Sequence, residues 1–370
     1  MKPLEGLKVV ELARILAGPW AGQALADLGA EVVKVESPEG DDTRRWGPPF
    51  IERDGDRTAA YFYAANRGKT SVIADFNTPE GQETVRKLVA EADILIENFK
   101  VGGLAKYGLD YPGLAALNPR LIYCSITGFG QDGPRARQPG YDFMIQGLSG
   151  LMSITGEKSG EPMKVGVAVT DVVTGLYATI GILAAVEQRH RTGRGQMVDM
   201  ALLDSATALL ANQAMNYLAT GTSPGRLGNA HPNLVPYDAL PVEDGHVIVA
   251  VGNDRQFRAL CELLGLGALA DDARFATNAA RIGNRDLLMG ILAEATEVWQ
   301  RAPFLEALEA AGVPAGPINE IADTFADPQV RARGLRIEPE GVPGVRGPWR
   351  FSDADLSLER SAPILPKAKG

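Results

Sequence analysis

Two rhythms of apolar and polar residues alternate along this chain of 370 residues. Residues 8–12, KVVEL, read as a buried strand, and residues 19–30, PWAGQALADLGA, as a helix with Pro19 in its first turn. Residues 31–36, EVVKVE, return to the strand pattern. The rhythm recurs as strand at 70–75, helix at 79–92 and strand at 93–99, then as helix at 104–118 and strand at 120–130. Strands alternating with helices predict an α/β fold with a largely parallel sheet. Ligands of such sheets bind beyond the carboxyl ends of the strands, which makes Asn98, Phe99 and the loop 127–133 cleft candidates.

The longest pattern is VGVAVTDVVTGLYATIGILAAVEQRHRTGR at 165–194. Small residues alternate with valines up to a single acid, Asp171, and an apolar run at helical spacing follows for about five turns. A second long helix is expected at 198–218. The second half has its clearest strand at 245–253, with helices expected at about 254–264, 278–299 and 302–312, so it reads as a separate small α/β domain.

Composition narrows the function. Hydrophobic content of 45% supports sizeable cores, and a formal charge of −9 without a basic stripe argues against nucleic acid. Two cysteines far apart in sequence, Cys124 and Cys261, and three histidines without metal-ligand spacing predict neither a disulfide framework nor a metal site. The first strand starts too early for a signal region to precede it, and no uninterrupted apolar run reaches about 18 residues, so a cytoplasmic protein without membrane attachment is expected. The turn at 17–22 lacks GxGxxG, which weakens a dehydrogenase reading.

Candidate chemistry has alternatives at each position. Asp171 is either a helix N-cap, satisfying first-turn N–H groups, or a nucleophile whose ionised form those same groups favour. Arg44, Arg45, Arg67 and Lys69 form the cationic part of the N-terminal half, as solvated loop or as a site for anions. Tyr141 is either a packing residue or, with neighbouring Asp142, an orienting group. The GNAHPN loop at 228–233, with His231, is a plain turn or a cover over a site.

Taken in order, LAGPWAGQALADLGAEVVKVE, GDDTRRWGPPF, NRGKTSV, ENFKVGGLAKYGL, RLIYCSITGFGQDGP, GYD, VGVAVTDVVTGLYA and RTGRGQ resemble the family III CoA-transferases, a group that includes 2-methylacyl-CoA racemases. The resemblance runs from Leu4 to about Leu335. Within the group, the chain looks most like the succinyl-CoA-dependent dicarboxylate transferases, such as the glutarate and hydroxymethylglutarate enzymes. The resemblance implies a homodimer of two chains threaded through one another as interlocked rings, with acyl-CoA and a carboxylic acid as substrates and no cofactor besides CoA itself. The division of the chain that it implies is a large Rossmann-like CoA-binding domain at 1–215, a linker and small domain at 216–330, and a C-terminal segment at 331–370 returning to the large domain.

It also implies roles. Asp171 matches the family's catalytic aspartate, which passes through a mixed anhydride and an aspartyl-CoA thioester. Tyr141 and Asp142 would flank the acyl group, while Asn98, Phe99, Lys106 and Arg14 would contact CoA. Arg44, and after it Arg67, are expected to hold the second carboxylate of a diacid, because guanidinium suits bidentate recognition. His231 and Leu16 are expected beside the substrate. The racemases carry histidine where Tyr141 stands, and tyrosine is a poor base at neutral pH, so a racemase is the alternative reading. The formyl-CoA transferases carry glutamine where Leu16 stands and a tetraglycine loop in place of GNAHPN, which argues against oxalate and formate. A third reading is a non-catalytic CoA-binding protein in which Asp171 only caps its helix.

Overall fold

A computed structural model describes residues 1–366. It resolves two compact units, one formed by Met1–Met152, Lys164–Ser223 and the chain from Pro328, the other by Ser153–Met163 and Pro224–Asp327.

The larger unit begins β1 (Lys8–Glu11), α1 (Ala17–Asp27) and β2 (Glu31–Glu36), followed by a hairpin, β3 (Phe50–Arg53) and β4 (Asp56–Ala59). Next come α2 (Ala60–Ala65), β5 (Thr70–Ile73), α3 (Pro79–Ala90), β6 (Ile94–Glu97), α4 (Tyr111–Leu117) and β7 (Ile122–Thr127). The unit continues with α5 (Asp142–Leu148), α6 (Val169–Thr192), β8 (Met197–Ala201), α7 (Leu202–Leu209) and α8 (Ala211–Thr220). Six strands pair in parallel in the order β5-β2-β1-β6-β7-β8. This is the doubly wound dinucleotide-fold order, and the chain reverses direction across the sheet between β1 and β6.

Successive strand residues face opposite sides of the sheet, which explains two separate cores. Val9, Ile94, Ile96, Ile122 and Cys124 pack with Leu25 of α1 and Ile182 of α6. Val10, Leu95 and Tyr123 pack on the other side with Val85 and Val89 of α3 and Leu114 of α4. Two helix starts are readable in the sequence: Thr78 accepts from the N–H of Gly81 ahead of Pro79, and Asp110 accepts from that of Gly113. α6 lies close against α1 because Gly175 has no side chain; a Cβ there would stand 2.7 Å from the carbonyl oxygen of Ala17. By length and composition α6 would pass as a membrane span, but Ala178, Ile182, Ala185 and Val186 belong to the core against the sheet.

The smaller unit holds an antiparallel sheet in the order β11-β10-β9, made of β9 (Tyr237–Val242), β10 (Gly245–Ala250) and β11 (Ala315–Pro317). Its helices are α9 (Asp254–Leu263), α10 (Asn278–Gly283), α11 (Arg285–Thr296) and α12 (Arg301–Ala310). Phe257, Phe275, Leu288, Leu292 and Phe304 form its core.

Three expectations are corrected. The helix expected at 198–218 starts as strand, because Met197–Ala201 completes the sheet edge beside β7, and the helical remainder breaks between α7 and α8, where Ala211 has φ of 43°. The helix expected at 278–299 divides at Asn284, and the one at 104–118 keeps only a short 3-10 turn before α4.

Candidate active site

The turn leaving β1 and the chain leaving β6 meet at the reversal point of the sheet. Asn98 uses its side-chain amide as a backbone strand would: Oδ1 accepts from the N–H of Arg14 at 2.9 Å, and Nδ2 donates to the carbonyl of Arg14 at 2.7 Å. A cavity of about 380 Å³ opens there, lined among others by Arg14, Leu16, Asn98, Phe99, Tyr141 and Asp171. Six of the residues singled out in the sequence thus share one wall.

Asp171 is not the N-cap of its helix. α6 starts two residues earlier, with Ala168 as a cap that offers no side-chain bond. The carboxylate of Asp171 accepts no hydrogen bond and forms no ion pair among the described residues. Burial, and after it the negative charge of Asp142, push its carboxyl up to about 7. It is a carboxylate left bare at the wall of a cavity.

Asp142 performs the capping from another helix. Its Oδ1 accepts from the N–H of Thr170 at 2.9 Å and from the Thr170 hydroxyl at 2.7 Å. Its Oδ2 accepts from Nε2 of Gln146 at 2.8 Å, and Oε1 of Gln146 accepts from the N–H of Val165 at 2.9 Å. The start of α5 therefore fixes the chain entering α6, and with it the place of Asp171.

The expected diacid anchors are corrected. Arg44 is 5% exposed and bidentate to Glu36 at 2.8 and 2.7 Å, with its guanidinium 3.7 Å over Phe62. Arg67 is likewise buried and bidentate to Asp27 at 3.0 and 2.6 Å. Neither lines the cavity. Both guanidinium groups are already committed to internal carboxylates. Asn98 needs a similar qualification, because its amide is occupied by Arg14. Lys106 stands outside the cavity wall, its Nζ 4.5 Å over the ring of Tyr107. His231 lies in the smaller unit, where Nδ1 accepts from the N–H of Asn233 at 3.0 Å and the ring stands 5.0 Å from that of Tyr237.

Sequence reasoning missed Tyr61. Its phenol is raised by burial and then by the charge of Asp171, which places it in the electrostatic neighbourhood of that carboxylate, and its ring meets Trp46 edge-on at 5.4 Å. The aromatic run at 60–65 was the available signal, but nothing local distinguishes Tyr61 from its neighbours. Beside the cavity, Phe76 packs 5.9 Å from Phe99 and 6.1 Å from Tyr107, with the Arg14 guanidinium 5.7 Å over Phe99. Aromatic rings flanked by a cation suit a planar neutral base with negatively charged phosphates attached.

Residues 4–367 match the family model for CoA-transferase family III. The chain belongs to that family. A family III member named succinate–glutarate CoA-transferase, from Agrobacterium fabrum, is 58% identical over 98% of this chain and 93% of its own length. The Homo sapiens succinyl-CoA:glutarate CoA-transferase is 43% identical over 99% of this chain and 84% of its own. Among solved structures, a CAIB/BAIF family protein from Brucella suis superposes with a TM-score of 0.90 at 63% identity, covering 99% of this chain and 97% of that one. As a family III CoA-transferase the chain is an enzyme that works on acyl-CoA and carboxylic acids.

Proposed function

We propose that the chain moves CoA from succinyl-CoA to a second dicarboxylic acid of similar length, with Asp171 as the covalent carrier. The observation that carries this is the bare, partly buried carboxylate of Asp171 on the cavity wall shared with Asn98 and Phe99. No donor has to be displaced when it reacts, and desolvation makes it more nucleophilic than a hydrated carboxylate. The names of relatives that act with glutarate support a diacid acceptor.

In the first step an Asp171 oxygen attacks the thioester carbonyl carbon, the C–S bond breaks, and CoA leaves as thiolate from a mixed anhydride. The thiolate attacks the Asp171 carbonyl carbon of that anhydride, and succinate leaves with the bridging oxygen. An acceptor carboxylate then attacks the aspartyl thioester and expels the thiolate. Last, the thiolate attacks the acceptor's acyl carbon, which frees the new acyl-CoA and restores the Asp171 carboxylate. Each step exchanges one activated acyl group for another, so no external energy source enters, and the cavity's task is to keep water from the intermediates. The aromatic shelf of Phe76, Phe99 and Tyr107 with Arg14 supports a place for the nucleotide end of CoA.

Incubation with succinyl-CoA followed by intact mass measurement and peptide mapping tests the reading. A CoA-sized adduct on the peptide holding Asp171, discharged by glutarate, is expected; CoA exchange that proceeds undiminished in Asp171→Ala would overturn it. We also infer a homodimer of interlocked chains. Its support is the apolar surface left exposed on the larger unit: Phe143 and Met144 of α5, Ile180 of α6 and Leu218 of α8.

A further inference from the structure

Beneath the β1–α1 turn lies a group of charges with no access to solvent. Lys34 and Lys69 are both fully buried. Lys34 Nζ donates to the carbonyl of Ala13 at 2.8 Å and pairs with Glu11 at 3.1 Å and Asp41 at 2.9 Å. Lys69 Nζ donates to Glu11 at 2.9 Å, to the carbonyl of Pro19 at 2.9 Å and to Oδ1 of Asn66 at 2.9 Å. Asp41 is 1% exposed and also accepts from the N–H and hydroxyl of Thr43, at 3.0 and 2.8 Å. Buried ion pairs of this kind are commonly no more stabilising than apolar residues of the same size. Their use here lies in what they hold.

They hold a strained turn. Ile15 has φ of 72°, a left-handed conformation that is a genuine outlier for a β-branched residue and costs on the order of 1–3 kcal/mol. Four backbone groups at and before it are gripped by side chains. Lys34 takes the carbonyl of Ala13, Asn98 takes both polar groups of Arg14, and the two oxygens of Asp41 share the N–H of Ile15 at 3.4 and 3.3 Å. The turn then delivers the chain into α1 with Leu16 as an N-cap that has no side-chain bond, at φ −136° and ψ −56°. The N–H groups of Leu16, Ala17 and Gly18 meet no acceptor among the described residues. Ile15, Leu16 and Ala17 all line the cavity that Asp171 lines.

We propose that Asp41 is a positioning residue for CoA transfer: through the N–H of Ile15 it keeps the β1–α1 turn left-handed, so that the uncapped start of α1 stays on the wall shared with Asp171. Asp41 touches no substrate. It acts through the turn, with Lys34 supplying the charge that keeps it ionised and in place.

The inference rests on the transfer reading above, and the experiment separates the two. CoA exchange by the native protein and formation of its Asp171 adduct report on that reading, while variants at 41 and 15 report on the turn. Asp41→Asn is expected to lower kcat at least about tenfold with a much smaller change in KM for the acyl-CoA, kcat being taken per folded site by adduct titration. Ile15→Pro, which forbids positive φ and removes the N–H, is expected to cost at least about tenfold more kcat than Ile15→Gly, which accepts that conformation freely. In the Ile15→Gly background the Asp41→Asn loss should shrink, because glycine needs no clamp to stay left-handed. A merely structural Asp41 would lower the melting temperature and leave kcat per folded site alone. The proposal is overturned by an Asp41→Asn kcat within about twofold of native, or by Ile15→Pro and Ile15→Gly losing equally. Should Asp41→Asn not fold, the pair at position 15 decides alone.

Discussion

Asp171 carries a cost that its surroundings do not offset. Its carboxyl sits well above the ordinary aspartate value of 3.8, at about 7. The folded chain therefore holds this proton more tightly than the unfolded chain does. The ionised group costs nothing below the ordinary aspartate range, weakens the fold progressively as pH rises from there to about 7, and above that the loss is constant. Asp171→Asn should thus melt at a higher temperature than native protein at about pH 8, and the gain should vanish near pH 4; calorimetry across that range checks the sign. Adduct formation needs the carboxylate, so its rate should climb with pH through the same window. Arg44 invites a different expectation from its exposed look in the sequence. Removing it leaves Glu36 buried and unpaired, so Arg44→Ala should cost roughly 3–5 kcal/mol of stability. In whatever protein remains folded, turnover with mono- and dicarboxylic acceptors should fall together. The sequence showed Arg44 and Arg67 as loop cations because their partners, Glu36 and Asp27, lie in another strand and helix. Glu11 and Lys34 did carry a visible signal, each a charge within an apolar strand, but not one that named its counter-ion.

At the level of elements, the start of α6 depends on α5. Asp142→Asn keeps an oxygen for Thr170 while removing the charge that helps raise Asp171. Its expected effect is a pH–rate profile for adduct formation displaced toward lower pH with the fold nearly unchanged. Asp142→Ala removes both, and should cost about 1 kcal/mol more in chemical denaturation, the ordinary worth of a cap. This cap was illegible in the sequence. The two residues stand 28 apart, and local rules look for a capping oxygen beside the helix it serves. The elements themselves were largely legible wherever apolar spacing was strong: β1, α1 and β2 lie where the pattern puts them. The stretch at 198–218 misled because an edge strand and the helices after it share one continuous apolar composition, and only pairing with β7 tells them apart.

For the whole molecule, the apolar residues exposed on α5, α6 and α8 call for a partner surface. Light scattering should give twice the mass of one chain, and interlocked rings should resist dissociation on dilution; a monomer at micromolar concentration would refute the interlocked homodimer. The parallel sheet and a second, smaller unit follow from strand and helix spacing, whereas the threading proposed for the homodimer would leave no local pattern. The strand order is that of proteins that lay a dinucleotide across the gap where the sheet reverses. Here Asn98 ties the chain leaving β6 to the turn leaving β1 through both backbone groups of Arg14. The tie fixes one side of the cavity that Asp171 lines. The β1–α1 turn also lacks the GxGxxG pattern through which a backbone approaches a pyrophosphate, so NADH offered at millimolar concentration should not compete with acyl-CoA. An amide side chain bonded as a strand would be thus makes this edge of the sheet a fixed frame for the chemistry at its rim.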